Sequence, residues 1–300
     1  MMSFFETIAT WWISRRASRG PKAVAAAAGR TPAVVITGGG SGIGLAIARQ
    51  FAPRASAIVL IGRHEKRLQV AARGLAKAHN GLRILTLALD VGRPNAAEIL
   101  LQWLENEELL CDVLVNSAGA GLSGPFAACD SNELETLIAT NVAGLSRLTR
   151  AVLPGMLSRG SGGVLSIASL GGVIPGPWQA AYYASKAYVI SLSEAISAET
   201  AGRGVRVAVV LPGPVLTRFH ARMGSEAALY RRLIVASTPD RIARIGVRNF
   251  RLGRRVIAPG PIPTILAYAL RILPHTVTVP IIGWLLAVRR ARGRPRQGPP

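Results

Sequence analysis

A chain of 300 residues, half of them hydrophobic and only 5% aromatic, suits one α/β domain with extensions and a core of Ala, Val, Leu and Ile. Two cysteines, Cys111 and Cys129, exclude a disulfide framework and a CxxC metal site, and the four histidines are scattered, so no metal is expected and a reducing, cytoplasmic setting fits. The net charge of +21 admits an anionic partner or an arginine bias spread over solvated faces; with no nucleic-acid module and no aromatic–basic stacking motif, nucleic acid is set aside.

Taken in chain order, residues 4–14 (FFETIATWWIS) place Phe4, Phe5, Ile8, Trp11 and Trp12 at helical spacing, with Arg15, Arg16 and Arg19 following. This pattern predicts an amphipathic helix. It either rests in a membrane interface or packs on a protein surface, and it is not a secretory signal because the basic group follows the apolar stretch. Residues 20–31 read as a linker. From Ala33 onward, strand-length apolar runs at 33–37, 57–62, 83–91, 112–119, 163–169 and 205–212 alternate with stretches of helical period such as 44–52 and 135–157. A short further run at 254–260 closes the series. Near-continuous apolar strands alternating with helices predict a parallel sheet of about seven strands, covered by helices on both faces. Residues 262–288 are apolar but broken by Pro263, Pro274 and Pro280, too interrupted for the ~20 residues of a membrane span. A helical flap near a substrate site and a membrane-resting hairpin both fit that stretch. Residues 289–300 read as a solvated basic tail. The expected division is 1–31 (helix and linker), 32–260 (catalytic domain) and 261–300 (apolar extension and tail).

Chemistry concentrates in three places. The first strand runs into Thr37-Gly38-Gly39-Gly40-Ser41-Gly42-Ile43-Gly44 and then a helix. Glycines let the backbone turn tightly and approach a phosphate, and the helix N-terminus offers unpaired N–H groups. The second strand ends at Gly62-Arg63, where an NAD site would carry an acid for the ribose hydroxyls. Arg63 instead presents a charged planar fork suited to a 2′-phosphate, which argues for NADP(H), with NAD(H) as the lesser option. Finally, Tyr182 and Lys186 stand four apart on one helix face. An ammonium beside a phenol, whose ordinary pKa is about 10, favours the phenolate and makes the pair a workable proton donor and acceptor. Ser169, 13 residues earlier, is placed to hydrogen-bond a reacting oxygen.

On these residues the chain resembles the short-chain dehydrogenase/reductase superfamily over about residues 32–260, in a bacterial branch with a C-terminal extension. Thr37, Gly38, Gly42 and Gly44 match its TGxxxGxG turn, and Asp90 with Val91 resembles its acidic position beside the adenine. Asn116-Ser117-Ala118-Gly119 matches NNAG with Ser117 in place of the second Asn. Asn141, Ser169, Tyr182 and Lys186 complete the resemblance to its catalytic tetrad, and Pro212, Gly213, Val215 and Thr217 fall in a PG…T segment.

The resemblance implies a Rossmann-type doubly wound α/β fold and an oxidoreductase that reduces a carbonyl or oxidises an alcohol. Thr37, Gly38, Ser41, Gly42, Ile43, Gly44, Arg63, Asp90, Val91, Asn116, Ala118, Gly119, Pro212, Gly213, Val215 and Thr217 would hold the dinucleotide, together with Tyr182 and Lys186. Tyr182 would donate the proton, Lys186 would bind the nicotinamide ribose, Ser169 would orient the carbonyl, and Asn141 would hold a water leading to Lys186. Tyr183 is off the Lys spacing and is read as a packing residue. Residues 218–237, with Phe219, Met223, Leu229, Tyr230, Leu233 and Ile234, would form a lid, which with the apolar C-terminus suggests a lipophilic substrate. The resemblance also implies a homodimer or homotetramer paired through the helices around 135–157 and 180–200. The competing reading is a non-catalytic dinucleotide sensor or scaffold at a membrane surface.

Overall fold

The computed structural model describes residues 29–217, 219, 223–224 and 236–287. The expected N-terminal helix at 4–14, the basic tail, and Leu229, Tyr230, Leu233 and Ile234 of the expected lid lie outside the described residues.

Seven parallel strands form one sheet in the order β3-β2-β1-β4-β5-β6-β7. They are β1 (Thr31–Thr37), β2 (Ala57–Gly62), β3 (Arg83–Ala88), β4 (Leu109–Asn116), β5 (Gly162–Ile167), β6 (Val205–Val210) and β7 (Val256–Ile257). The helices are α1 (Gly42–Phe51), α2 (Glu65–Ala78), α3 (Ala96–Asn106), α4 (Ser131–Ile138), α5 (Leu145–Arg159), α6 (Ala180–Glu199), α7 (Pro239–Arg251), α8 (Pro261–Ile272) and α9 (His275–Leu286).

Because successive side chains of a strand point to opposite faces, β1 feeds two cores. Val34 and Ile36 pack with α1, α2 and α7 through Ile47, Leu68 and Val247. Ala33 and Val35 pack with α3 and α5 through Leu100, Leu148 and Met156. A third cluster joins α6 to β6 through Val189, Ile190 and Val209, and includes Ala267 of α8. Both faces are thus covered, which is why these strands read as continuous apolar runs.

The strands end earlier than the apolar runs suggest. Residues 89–91, 117–119, 168–169 and Pro212 lie past the strands' carboxyl ends and line a cleft. At the other end β4 starts at Leu109 rather than Asp112, because Leu109, Leu110 and Cys111 pair with Thr31, Pro32 and Ala33 of β1. β1 lies between β2 and β4, so the order of connection reverses there. Parallel α/β sheets bind ligands outside such a switch point.

The expected long helix at 135–157 is two helices, α4 and α5, joined by a π-turn at Ala139–Gly144. Asp130 caps α4, its carboxylate accepting from the Glu133 N–H at 3.0 Å, and Thr238 caps α7, whose first residue is Pro239.

Candidate active site

A cleft of about 1340 Å³ opens over the carboxyl ends of the strands. Gly38, Ser41, Gly42, Ile43 and Gly44 line one end. The turn there depends on missing side chains. Gly38 has φ +66°, and a Cβ on it would stand 2.9 Å from the Ser117 carbonyl oxygen; a Cβ on Gly44 would stand 2.5 Å from the Gly38 oxygen. Backbone therefore packs on backbone, and α1 begins at the cleft with its N-cap Ser41 making no side-chain cap. The first N–H groups of a helix lack intrahelical partners, so α1 presents donors to an anion there.

Thr37 is buried behind this turn. Its Oγ1 accepts from the Ser117 and Ala118 N–H groups, both at 3.0 Å, and donates to the Val115 carbonyl at 3.3 Å. Asn116 is buried as well, its Nδ2 donating to Thr149 Oγ1 at 3.0 Å. Neither side chain lines the cleft. Both hold the strand-end loop Ser117–Gly119, whose residues do line it. The Asn116 side-chain amide turns inward to α5.

Arg63 lines the cleft at the end of β2, as its position after the strand predicts, and so do Asp90 and Val91. The Asp90 carboxylate accepts from the Gly92 N–H at 2.9 Å, which fixes the turn after β3. Lys66 and Arg67 join Arg63 on the wall. Sequence reasoning missed them, although Lys66 and Arg67 open the helix that directly follows Arg63.

At the other end of the cleft stand Ser169, Tyr182 and Lys186. The Lys186 Nζ lies 5.7 Å from the centroid of the Tyr182 ring and donates to the Ile167 carbonyl at 3.0 Å. Burial pulls the Lys186 pKa down to about 8. Ser169 Oγ accepts from the Gly171 N–H at 3.0 Å, which orients the hydroxyl at the end of β5. Tyr183, expected to be a packing residue, sets its ring against Gly176 and Gly171 and also lines the cleft.

Asn141 stands at the junction of the loop after β4 and α6. It is buried in the π-turn and does not line the cleft. Its Oδ1 accepts from the Ala120 N–H at 2.8 Å, while Nδ2 donates to the Ala120 carbonyl at 2.9 Å and to Ser185 Oγ at 3.0 Å. Ser185 Oγ in turn donates to the Tyr182 carbonyl at 2.7 Å. The side-chain amide is committed to this network, so Asn141 acts as a positioning residue between the loop after β4 and α6.

Pro212, Gly213, Val215 and Thr217 line the cleft beyond β6. Phe219 and Met223, from the expected lid, line it too, and the Phe219 and Tyr182 ring centroids are 5.5 Å apart. Gly121 makes room for them, since a Cβ there would stand 2.8 Å from the Phe219 ring. Further wall comes from the C-terminal helices through Leu266, Leu270, Ile282, Leu285 and Leu286. The flap reading of residues 262–288 therefore describes one face of that segment.

A close-packed glycine turn at the switch point of a parallel sheet thus shares one cleft with a phenol and an amine. The family model for short chain dehydrogenases matches residues 32–228, and the chain belongs to that family. It is similar to a short chain dehydrogenase of Pseudocercospora fijiensis, 36% identical over 184 residues, which are 60% of this chain and 59% of that protein. It is also 35% identical to a sulfoacetaldehyde reductase of Chromohalobacter salexigens over 209 residues, 69% of this chain and 82% of that protein. The chain thus spans about three fifths of the length of the first of these relatives. Among solved structures, a short-chain dehydrogenase from Sphingobium yanoikuyae in complex with NADPH superimposes with a TM-score of 0.69 at 30% identity, covering 76% of this chain and 87% of that one.

Proposed function

We propose that the protein is an NADP-dependent oxidoreductase that reduces a carbonyl, or oxidises the corresponding alcohol, on a lipophilic substrate. The observation that carries this reading is the placement of Lys186 beside Tyr182, with Ser169, in the same cleft as the glycine turn.

The residues present fit a dinucleotide. The close-packed turn Gly38–Gly44 and the start of α1 suit a pyrophosphate. Arg63, Lys66 and Arg67 give the adenosine end three basic side chains and no acid at the end of β2, which suits a 2′-phosphate. NADPH in the similar Sphingobium enzyme supports the same preference. Asp90, Val91, Ala118, Gly119, Pro212, Gly213, Val215 and Thr217 would flank the rest of the cofactor. Bound there, NADP(H) would supply the hydride or accept it.

The chain's own residues supply position and protons. Tyr182 holds the proton that the substrate oxygen gains on reduction and takes it back on oxidation. Ser169, held by Gly171, directs its hydroxyl to that oxygen. Lys186 lies against the Tyr182 ring and is anchored to β5. Phe219, Met223, Leu266, Leu270 and Ile282 make the substrate end apolar, which favours a lipophilic carbonyl compound. Assembly through α5 and α6 belongs to the same reading, with Tyr188 partly exposed on α6 and bonded to Ser146 of α5 at 2.9 Å.

A panel of carbonyl compounds run with NADPH and in parallel with NADH tests the proposal. Long-chain or polycyclic ketones and aldehydes are expected to consume NADPH, and Tyr182→Phe is expected to abolish turnover while NADPH still binds. Unchanged turnover in Tyr182→Phe, or a clear preference for NADH, would overturn the corresponding part.

A further inference from the structure

The hairpin of α8 and α9 is apolar on two sides. One side closes the cleft through Leu266 and Leu270 of α8 and Ile282, Leu285 and Leu286 of α9. It is fastened to the domain: Trp178 Nε1 donates to the Gly283 carbonyl at 3.1 Å, and Ala267, Thr278 and Leu286 are buried.

The other side faces outward. Val277, Ile281 and Trp284 are 52%, 53% and 61% exposed, and they recur at i, i+4 and i+7, so they form one stripe along α9. Ile265 and Ile272, seven apart on α8, are 69% and 82% exposed, and Leu273 at the bend between the helices is exposed too. Exposed large apolar side chains gathered along both C-terminal helices suit an interaction surface better than ordinary surface.

Charge identifies the occupant. No acidic residue follows Asp240, and the hairpin is succeeded directly by Arg289, Arg290, Arg292, Arg294 and Arg296. A second copy docked on the same face would bring two such arginine runs together, whereas a surface of phosphate headgroups over hydrocarbon matches both halves of the pattern. Trp284 is a residue type that favours the headgroup level. Each helix of 12 residues is about 18 Å long, short of the ~30 Å hydrocarbon layer, and no helix among the described residues is long and apolar enough to cross a membrane.

We propose that the outer face of the α8–α9 hairpin docks on an anionic phospholipid bilayer, laying Ile265, Ile272, Val277, Ile281 and Trp284 into the interface. Since the same helices wall the cleft, docking sets its substrate end against the lipid, and a membrane-dissolved carbonyl compound reaches Tyr182 past α8 and α9 without crossing bulk water. This second half rests on the redox reading above; the docking surface does not.

Flotation of the full chain with vesicles tests it. The protein is expected to float with phosphatidylglycerol–phosphatidylcholine vesicles and to remain in the dense fraction with phosphatidylcholine alone. The variant Ile272→Ser with Trp284→Ser, neither side chain lining the cleft, is expected to lose flotation and keep NADPH binding. A second variant, Arg289→Gln with Arg290→Gln, leaves the hairpin intact and is expected to bind anionic vesicles about tenfold more weakly. No flotation of the wild-type chain overturns the proposal. So does flotation unchanged in both variants, or a wild-type dimer that the serine variant splits while vesicles bind neither. NADPH binding and consumption are measured without vesicles: flotation as expected with no NADPH response leaves the docking surface standing and removes the redox reading.

Discussion

Asn141 Nδ2 donates to Ser185 Oγ at 3.0 Å, joining the π-turn before α5 to the residue that precedes Lys186. The same amide clamps both backbone groups of Ala120, so one side chain fixes the loop after β4 and the start of α6 together. Asn141 is buried within the π-turn, and such bulges gather at functional positions.

Asn141→Ala should therefore uncouple the two elements. It leaves the Ala120 N–H and carbonyl and the Ser185 hydroxyl short of partners, and the expected loss of stability is about 2–3 kcal/mol from the unsatisfied groups. Turnover is expected to fall at least about tenfold in kcat with little change in KM for NADPH, since the cradle at α1 is untouched. Ser185→Ala, which keeps the Ala120 clamp, should lose about 1 kcal/mol. Urea unfolding and steady-state kinetics on both variants check this; equal effects in the two would contradict the network.

Arg63, just before α2, and Arg67, in its first turn, both line the cleft. Arg63→Ala is expected to weaken NADPH binding about tenfold, the low end for a charge-assisted hydrogen bond in a partly solvated place, and to leave NADH binding unchanged. The double change with Arg67→Ala should widen the loss and flatten the salt dependence of NADPH affinity. Titration with both nucleotides at two ionic strengths measures it. A parallel loss for NADH would show that these arginines serve the fold or the pyrophosphate.

Lys186 gives a pH signature in the chain free of cofactor. Burial lowers its pKa from 10.5 to about 8. Below pH 8 the amine is protonated in both folded and unfolded chains, and the cost of burying the charge is fully present. Between about 8 and 10.5 the unfolded chain binds more protons, so this group's contribution grows more favourable as pH rises. The stability of the wild-type chain minus that of Lys186→Met is expected to increase on the order of 2–3 kcal/mol from pH 7.5 to 10.5. Urea midpoints at the two pH values read it, and a constant difference would mean that the amine is not desolvated.

The seven-strand order of elements, the glycine turn, Arg63 and the Ser169, Tyr182 and Lys186 set were all legible in the chain, because each rests on local rules. Apolar runs of strand length read as buried parallel strands, glycine clusters read as tight turns, and four-residue spacing puts two side chains on one helix face. What was not legible was which polar side chains face the cleft and which stand behind it. Thr37, Asn116 and Asn141 have the residue types of ligand contacts, yet their bonds go to Ser117, Thr149 and Ala120, partners 80, 33 and 21 positions away. The strand ends were misjudged for a related reason, since residues such as 89–91 keep an apolar pattern after leaving the ladder.

The C-terminal segment shows the same division. Its apolar composition, its prolines and the arginines that follow are properties of the chain alone, and the prolines interrupt the apolar run before it reaches spanning length. Which leucines wall the cleft and which side chains face outward was decided when α8 and α9 folded back over β5–α6. Helical periodicity sorts residues onto faces, but only packing against another element determines which face is buried.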